Sequence, residues 1–365
     1  MDGNQGSTTK AKTMSDHQQL SLLSNALEGV DENSTIGIFT HRFPDPDAIS
    51  SMMALRWVIQ KLVGTKVVDL IFEGKISHPQ NQVFDNLLEP NLRDIDEIPE
   101  VMYDKCFLVD TVPDNAGIGQ FKDIKFDLVI DHHKEPPKIE TDNYINLHAG
   151  SCAGTIYQII QENNLEFDPD SEIDKRIVTG ILVGIATDTD TLCSPDTTKI
   201  DVSTWSELLE NRDPDILARI LNYEKPKFWV EKKAEIFSQV IIIEGLAIVG
   251  IGRIDNKHRD LIADIADDIR SWEEVNTAIV FAIVDGSRIE GSIRSCNSAI
   301  SVPNLSKKLG SGKGGTGGGK AGKGAYKYSL GGSSIDENDS PEVKDLTWAL
   351  FDRKEQERIF KITKS

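Results

Sequence analysis

The chain has 365 residues, long enough for two domains, and its 39% apolar and 27% charged residues suit a globular protein. With 59 acidic against 40 basic residues it carries a formal net charge of −19, which repels long polyanions and speaks against long nucleic acid as a partner. Its four cysteines, Cys106, Cys152, Cys193 and Cys296, form no CxxC pair, so a disulfide framework or structural zinc site is not expected and a reducing cytoplasm is the natural setting.

In chain order, residues 1–15 read as a disordered tail. Met1 to Lys12 is polar and has no apolar h-region, so no signal peptide is expected, and no run of about 18 apolar residues suggests a membrane span. A helix is expected around Gln18 to Leu27, then a strand at Thr35 to Thr40. Ile49, Met52, Met53, Leu55, Val58, Ile59 and Leu62 recur at helical spacing, which predicts a helix over Ala48 to Val63. Further strands are expected at Val67 to Phe72, Cys106 to Asp110 and Phe126 to Asp131. Helices are expected at Gly154 to Glu162, Arg176 to Ala186 and Val202 to Leu209. Strands alternating with helices imply an α/β fold with a mainly parallel sheet. This catalytic domain is assigned to residues 16–225. A linker helix over 226–240 leads to a second, smaller mixed α/β domain at 241–365, with strands at Ile241 to Ile251, Thr277 to Val284 and Arg288 to Arg294. Gly310 to Gly332 holds 11 of the 28 glycines and reads as a loop, and a short helix is expected near Ser340 to Phe351.

Charge is partitioned. Gly291 through Ile335 contains no Asp or Glu, but does contain Arg294, Lys307, Lys308, Lys313, Lys320, Lys323 and Lys327. Two readings of the glycine-rich part stand: a flexible linker, or an anion cradle of backbone N–H groups and ammonium ions. Gly314 to Ala321 approaches the G-x-x-x-x-G-K pattern of a P-loop but lacks the final hydroxyl, because Ala321 stands there.

Four segments place carboxylates and imidazoles at the ends of predicted strands or helices. They are His41-Arg42-Phe43-Pro44-Asp45-Pro46-Asp47, Asp110, Asp131-His132-His133, and Asp188 with Asp190. In open α/β sheets, sites gather beyond the carboxyl ends of the strands, so these groups can share one crevice. Carboxylates and imidazoles without thiolate suit Mn²⁺ or Mg²⁺ better than zinc. A pair of such ions can activate a water and stabilise an in-line displacement at phosphorus. Asp190 reads as a local hydrogen-bonding residue rather than a ligand. Arg42 and His78 either line the cleft or are simply exposed. Gly150 to Thr155 opens a helix, where Ser151 is a cap and the helix N-terminus could also orient site groups or phosphate.

With these residues the sequence resembles the DHH family of phosphoesterases, whose triplet is Asp131-His132-His133 here. His41-x-x-Pro44-Asp45-x-Asp47-Ala48-Ile49 resembles the first motif, Val109-Asp110-Thr111 the second, and Gly184-Ile185-Ala186-Thr187-Asp188-Thr189 the fourth. The resemblance implies two divalent metal ions, Mn²⁺ first and Mg²⁺ second. His41 and Asp45 would hold one, Asp47, His132 and Asp188 the other, with Asp110 bridging. His133 would face the scissile phosphate, and Asp131 would brace the imidazoles. One branch of the family hydrolyses pyrophosphate and shares the His-x-x-Pro-Asp-x-Asp start. The other has a DHHA1-type C-terminal domain with a glycine-rich loop. The second branch is resembled by Ser292-Ile293-Arg294-Ser295 and by Gly317-Gly318-Gly319-Lys320, where Lys320 replaces the usual His. A Lys keeps phosphate binding but cannot stack on a base.

The activity thus implied is hydrolysis of short oligonucleotides, dinucleotides or 3′-phosphorylated nucleotides by a two-metal-activated hydroxide. The substrate would sit in a cleft between the domains, held by Arg294, Ser295, Gly317, Gly318, Gly319 and Lys320. The alternatives are an inorganic polyphosphate or pyrophosphate hydrolase, which the lysines favour, and a non-catalytic nucleotide sensor. The oligomeric state is open, a homodimer among the options.

Overall fold

The computed structural model describes residues 14–98, 102–113, 124–133, 143–320, 322–336 and 338–364. All but the last two residues of the expected tail, and Ala321, lie outside the described residues. The chain divides into two compact units, one ending at Tyr223 and one starting at Glu224.

The first unit opens with two short helices, α1 (Asp16–Leu20) and α2 (Leu22–Ala26), rather than one. The break falls at Ser21, whose hydroxyl donates to the Gln18 carbonyl. Then follow β1 (Thr35–Phe39), α3 (Pro46–Val63), β2 (Val67–Phe72), α4 (Pro79–Leu88), β3 (Leu92–Asp94), β4 (Lys105–Val109), β5 (Leu128–Ile130) and β6 (Tyr144–Ile145). The unit closes with α5 (Cys152–Glu162), α6 (Glu172–Asp188), α7 (Lys199–Leu208) and α8 (Pro214–Leu221). Its six strands run in the order β3-β2-β1-β4-β5-β6 and every pairing is parallel. The strand order reverses between β1 and β4, which opens a crevice at their carboxyl ends. Strands in such a sheet are covered on both faces, hence the unbroken apolar runs Ile36–Phe39 and Phe107–Val109. α3 is the central helix: Asp45 and Pro46 start it, Gly64 ends it in the left-handed conformation, and most of its residues are buried. It packs against α5 and α6 in one core with Met52, Leu55, Ile156 and Ile181.

The second unit contains α9 (Lys227–Ile236), β7 (Ile241–Ile243), β8 (Leu246–Ile254), α10 (Leu261–Arg270), β9 (Thr277–Val284), β10 (Arg288–Ser295), α11 (Val302–Ser311), β11 (Thr316–Lys320), β12 (Lys323–Ser329) and α12 (Pro341–Thr363). Its six-stranded sheet runs β11-β12-β10-β9-β8-β7 and is mixed: β8 and β9 are parallel, the other pairs antiparallel. Every residue of the central β9 is buried. One face carries a core with α9 and α10, the other a core with α11 and α12.

Three sequence expectations change here. The single strand at Ile241 to Ile251 is a hairpin, because Glu244 and Gly245 both take positive φ, the pattern of a tight type I′ turn. The terminal helix runs on to Thr363, with Glu355 and Ile359 buried beneath it. The glycine-rich stretch is not a loop. Thr316–Lys320 is the edge strand of the sheet, paired along its length with β12. Its glycines are needed for contact: a Cβ on Gly317 would stand 1.9 Å from the Ser306 carbonyl oxygen, and one on Gly315 would stand 2.0 Å from that of Lys327. Among the described residues, no helix is long and apolar enough to cross a membrane.

Candidate metal centre

The crevice at the sheet's carboxyl edge is built from strand ends that are tied together. Where β1 leaves the sheet, the Thr40 hydroxyl donates to the Val109 carbonyl (3.0 Å), fixing the exit of β1 to that of β4. The next turn is held by Asn81, whose Nδ2 donates to the Pro44 carbonyl at 3.0 Å. Asp45 caps α3 by accepting the Ala48 N–H at 3.0 Å, which places Asp47 in the helix's first turn, fully buried. Asp110 follows β4 in the left-handed region at φ 58°, a conformation Asp tolerates better than most residues, while its N–H donates to the Ile130 carbonyl. After β5, the Asp131 N–H donates to Ile145, and the Asn146 side chain donates to the His133 carbonyl at 2.8 Å. Asp188 is the last residue of α6, brought in because Gly184 lets that helix approach α3. A Cβ on Gly184 would lie 2.4 Å from Ser50 Oγ and 2.9 Å from Asp47 Oδ1.

These residues converge. His41, Asp45 and Asp110 bring ligand-type atoms within 4.8 Å of one another, as do Asp47, His132 and Asp188, and a third group joins Asp110 to His132 and His133. Asp110 Oδ2 lies 3.3 Å from His41 Nε2 and its Oδ1 3.3 Å from His132 Nε2, so one carboxylate faces both sides. His132 Nε2 is also 3.2 Å from Asp188 and 4.0 Å from Asp47. His133 turns its Nδ1 to Asp131 Oδ1 at 2.7 Å, and its ring is half-exposed. Asp190 joins none of these groups. Arg42 pairs with Glu73, and His78 caps α4 by accepting the Gln80 N–H.

The electrostatics are those of acids crowded out of water. Burial, then the charge of Asp110, pushes Asp47 well above the ordinary carboxylate range and Asp45 upward too. Burial alone would lower the His41 pKa, but Asp110 and Asp45 bring it up to about 10. His132 is raised well above its usual value against burial, by Asp110 and Asp188. Asp110 moves the other way: burial would raise it, but His132 and His41 hold it well below the usual range. Asp110 Oδ1 and His132 Nε2 are both buried without a partner at hydrogen-bond geometry. An unsatisfied acceptor facing an unsatisfied ring nitrogen is costly in a low dielectric. The donor set of carboxylate oxygens and imidazole nitrogens therefore fits divalent cations, which remove the repulsion and use the idle lone pairs. Cys152 does not join the set. Its thiol faces the Ile130 carbonyl, and burial, then Asp110 and Asp47, pushes its pKa well up.

Nothing in the side-chain pattern marks the groups that hold Asp47. They are backbone amides at the start of α5: the Cys152 N–H donates to Asp47 Oδ2 at 2.7 Å and the Ala153 N–H to Oδ1 at 2.9 Å. Ser151 caps the same helix through the Gly154 N–H, so capping and orientation of a site carboxylate are both present.

In the second unit, Arg294 of β10 stands opposite Lys323 of β12, which stands opposite Lys320 of β11. The Arg294 guanidinium bonds Asp267, the Ser292 hydroxyl and the Ile293 carbonyl. The Ser295 hydroxyl meets Thr277, the Asn276 carbonyl and the Asn297 N–H. The next row of the sheet is Ser292, Ala325 and Gly318, where a groove of about 380 Å³ runs past Arg259, Glu290 and Lys327. The rings on these three strands, Tyr326 and Tyr328, point the other way and donate to Glu355.

Residues 35–185 match the family model described as the DHH family, N-terminal domain. An uncharacterized protein of Methanocaldococcus jannaschii is 28% identical over 272 residues, covering 74% of this chain and 54% of its own. A probable manganese-dependent inorganic pyrophosphatase of Lactiplantibacillus plantarum is 30% identical over 182 residues, 49% of this chain and 55% of its own. The chain thus spans about half the length of these relatives. The crystal structure of an exopolyphosphatase-related protein from Bacteroides fragilis shares the fold, with a TM-score of 0.67 at 15% identity over 97% of this chain and 100% of that one.

Proposed function

We propose, from the premise that residues 35–185 are a DHH-family N-terminal domain, that this chain is a metal-dependent phosphoesterase that cleaves small inorganic phosphoanhydrides such as pyrophosphate or short polyphosphate. The observation that carries this is that Asp110, grouped with His41 and Asp45, also sets its Oδ1 3.3 Å from His132 of the Asp47-His132-Asp188 group. In this reading His41 and Asp45 would hold one divalent ion and Asp47, His132 and Asp188 the other, with Asp110 serving as a further ligand. When bound, such ions supply Lewis acidity: they make a water more acidic and neutralise phosphate oxygens, and manganese is favoured by the name of the L. plantarum relative.

The chain's own residues do the rest. Asp131 accepts a hydrogen bond from His133 Nδ1–H and fixes the ring, leaving Nε2 on the accessible edge. The His133 pKa is raised: burial opposes this, but Asp131 and Asp110 prevail; in its protonated form the ring offers Nε2–H to a phosphate oxygen or a departing phosphate. Asp45 and Asp47, fixed by amides of α3 and α5, need not reorganise when charge develops.

Inorganic phosphate chains are favoured over nucleotides for two reasons. The L. plantarum relative bears the name of a probable manganese-dependent inorganic pyrophosphatase. The cationic row Arg294, Lys323 and Lys320 also offers charge without a ring, since the tyrosines of its strands face away. The test is a hydrolysis panel with Mn²⁺ on pyrophosphate, polyphosphate, a linear dinucleotide and adenosine bisphosphate. Phosphate release from the first two is expected. Turnover confined to the nucleotides would replace the substrate class, and binding of all four with turnover of none would make the chain a sensor.

A further inference from the structure

We infer that Asp201 is a positioning residue for the ion-facing carboxylate of Asp47, acting through the first turn of α5. This rests on the metal-site reading above. Asp201 is completely buried, although its element, α7, needs only a surface cap. A buried carboxylate persists only when its lone pairs are filled, and here four donors fill them. Two come from α7's own start, the Thr198 N–H (2.8 Å) and hydroxyl (2.7 Å). The other two come from the residues that open α5: the Gly150 N–H at 2.8 Å and the Ser151 hydroxyl at 2.8 Å.

The second pair sets the geometry of α5. Ser151 has one hydroxyl proton, and it goes to Asp201, so the oxygen turns a lone pair to the Gly154 N–H at 3.1 Å. The first-turn amides of Cys152 and Ala153 then point at Asp47 and clasp both of its oxygens. Gly150 is part of the device: a Cβ there would stand 2.6 Å from Asp201 Oδ2 and 2.8 Å from the Asp196 carbonyl oxygen. A rigid path of hydrogen bonds and one helical turn thus runs from Asp201 to the oxygen of Asp47 that lies 4.0 Å from His132 Nε2. Partners of ligands in this position set ligand orientation, and their loss weakens metal binding by about 10- to 100-fold.

The test is calorimetric titration of the full chain with Mn²⁺, alongside thermal melts, for the wild type, Asp201→Asn, Ser151→Ala and a control, Asp174→Asn. Asp174 is also a buried carboxylate of this unit; it accepts from Trp57, Asp168 and Ser171, and none of these bonds reaches Asp47 or the start of α5. An amide at 201 that keeps its oxygen toward Gly150 and Thr198 turns NH₂ toward Ser151 and reverses that hydroxyl, so Asp201→Asn is expected to weaken one of two Mn²⁺ sites by about 10- to 100-fold. Asp174→Asn is expected to lower the melting temperature yet leave both affinities within about twofold. If Asp201→Asn does not fold, Ser151→Ala carries the test, with about a tenfold loss expected at the same site. Lower melting with unchanged Mn²⁺ affinity in the Asp201 or Ser151 variant, or equal losses in the Asp174 control, overturns the inference alone. Absence of Mn²⁺ binding by the wild type removes the metal-site reading, and this inference with it.

Discussion

Both units bury acids, but they treat them differently. In the second, Glu355 of α12 accepts from Tyr326 (2.9 Å), Tyr328 (2.7 Å) and two nitrogens of Arg358, which also donates to the Leu309 carbonyl. Each charge is answered within the network, as a structural role requires. In the first unit, Asp45, Asp47, Asp110 and Asp188 face one another, two of them with raised pKa values and one with a buried oxygen that meets no partner at hydrogen-bond geometry. A fold able to build the first kind of site has no stability reason to build the second. The comparison separates acids that hold the protein together from acids kept apart by the fold for something to be added.

Four experiments test the difference between the two kinds of buried acid. The largest effect is expected from Asp110→Ala, which removes the carboxylate that faces both His41 and His132: Mn²⁺ binding is lost and turnover falls on the order of a thousandfold, while the circular dichroism spectrum stays that of the wild type. Undiminished turnover would end the mechanism. Glu355→Ala should do the converse. It strands Arg358 and two tyrosine hydroxyls, costs about 3–5 kcal/mol of stability in denaturant titration, and leaves the Mn²⁺ affinity of the folded protein alone.

The third test is pH. The His41 pKa is raised from 6.5 to about 10, so its pairing stabilises the metal-free protein fully below 6.5 and is lost as pH rises toward 10. Asp45 and Asp47 are raised as well and act in the same direction, whereas Asp110, being depressed, keeps its contribution unchanged across this window. Chelator-treated protein should therefore melt at lower temperature as pH increases from 6.5 to 10. Mn²⁺ uptake should release protons, seen as a dependence of binding heat on buffer ionisation enthalpy. A metal-free melting curve that is flat with pH would mean the acids are not crowded as described. The smallest effect belongs to Lys320→Ala: if the cationic row of β10, β12 and β11 holds phosphate, KM rises by about three- to tenfold with kcat little changed.

Much of the first unit was legible in the sequence because its parallel strands are buried on both faces. β1, β4 and β5 read as apolar runs, and His41, Asp110 and the Asp131-His132-His133 triplet sit where those runs stop. Less of the rest was. β6 has only two residues and β3 only three, too short for any period. The clasp on Asp47 is made by backbone amides, which have no letter in the sequence. Asp201, next to helix-capping Thr198, looks like an ordinary cap until the fold brings Gly150 to it across 51 positions. In the second unit, composition misled: glycine density signals a loop, but here it signals backbone packed on backbone.

That last feature bears on how the protein can evolve. Gly310, Gly315, Gly317, Gly319 and Gly324 each have a neighbouring atom within 2.3 Å of where a side chain would begin, whereas Gly318 has nothing within 4 Å. A stretch resembling filler is therefore among the least negotiable in the chain. Neutral drift is open at positions such as 318 and 332, whereas alanine at any of these five glycines should be rejected as firmly as a change to the protein's interior.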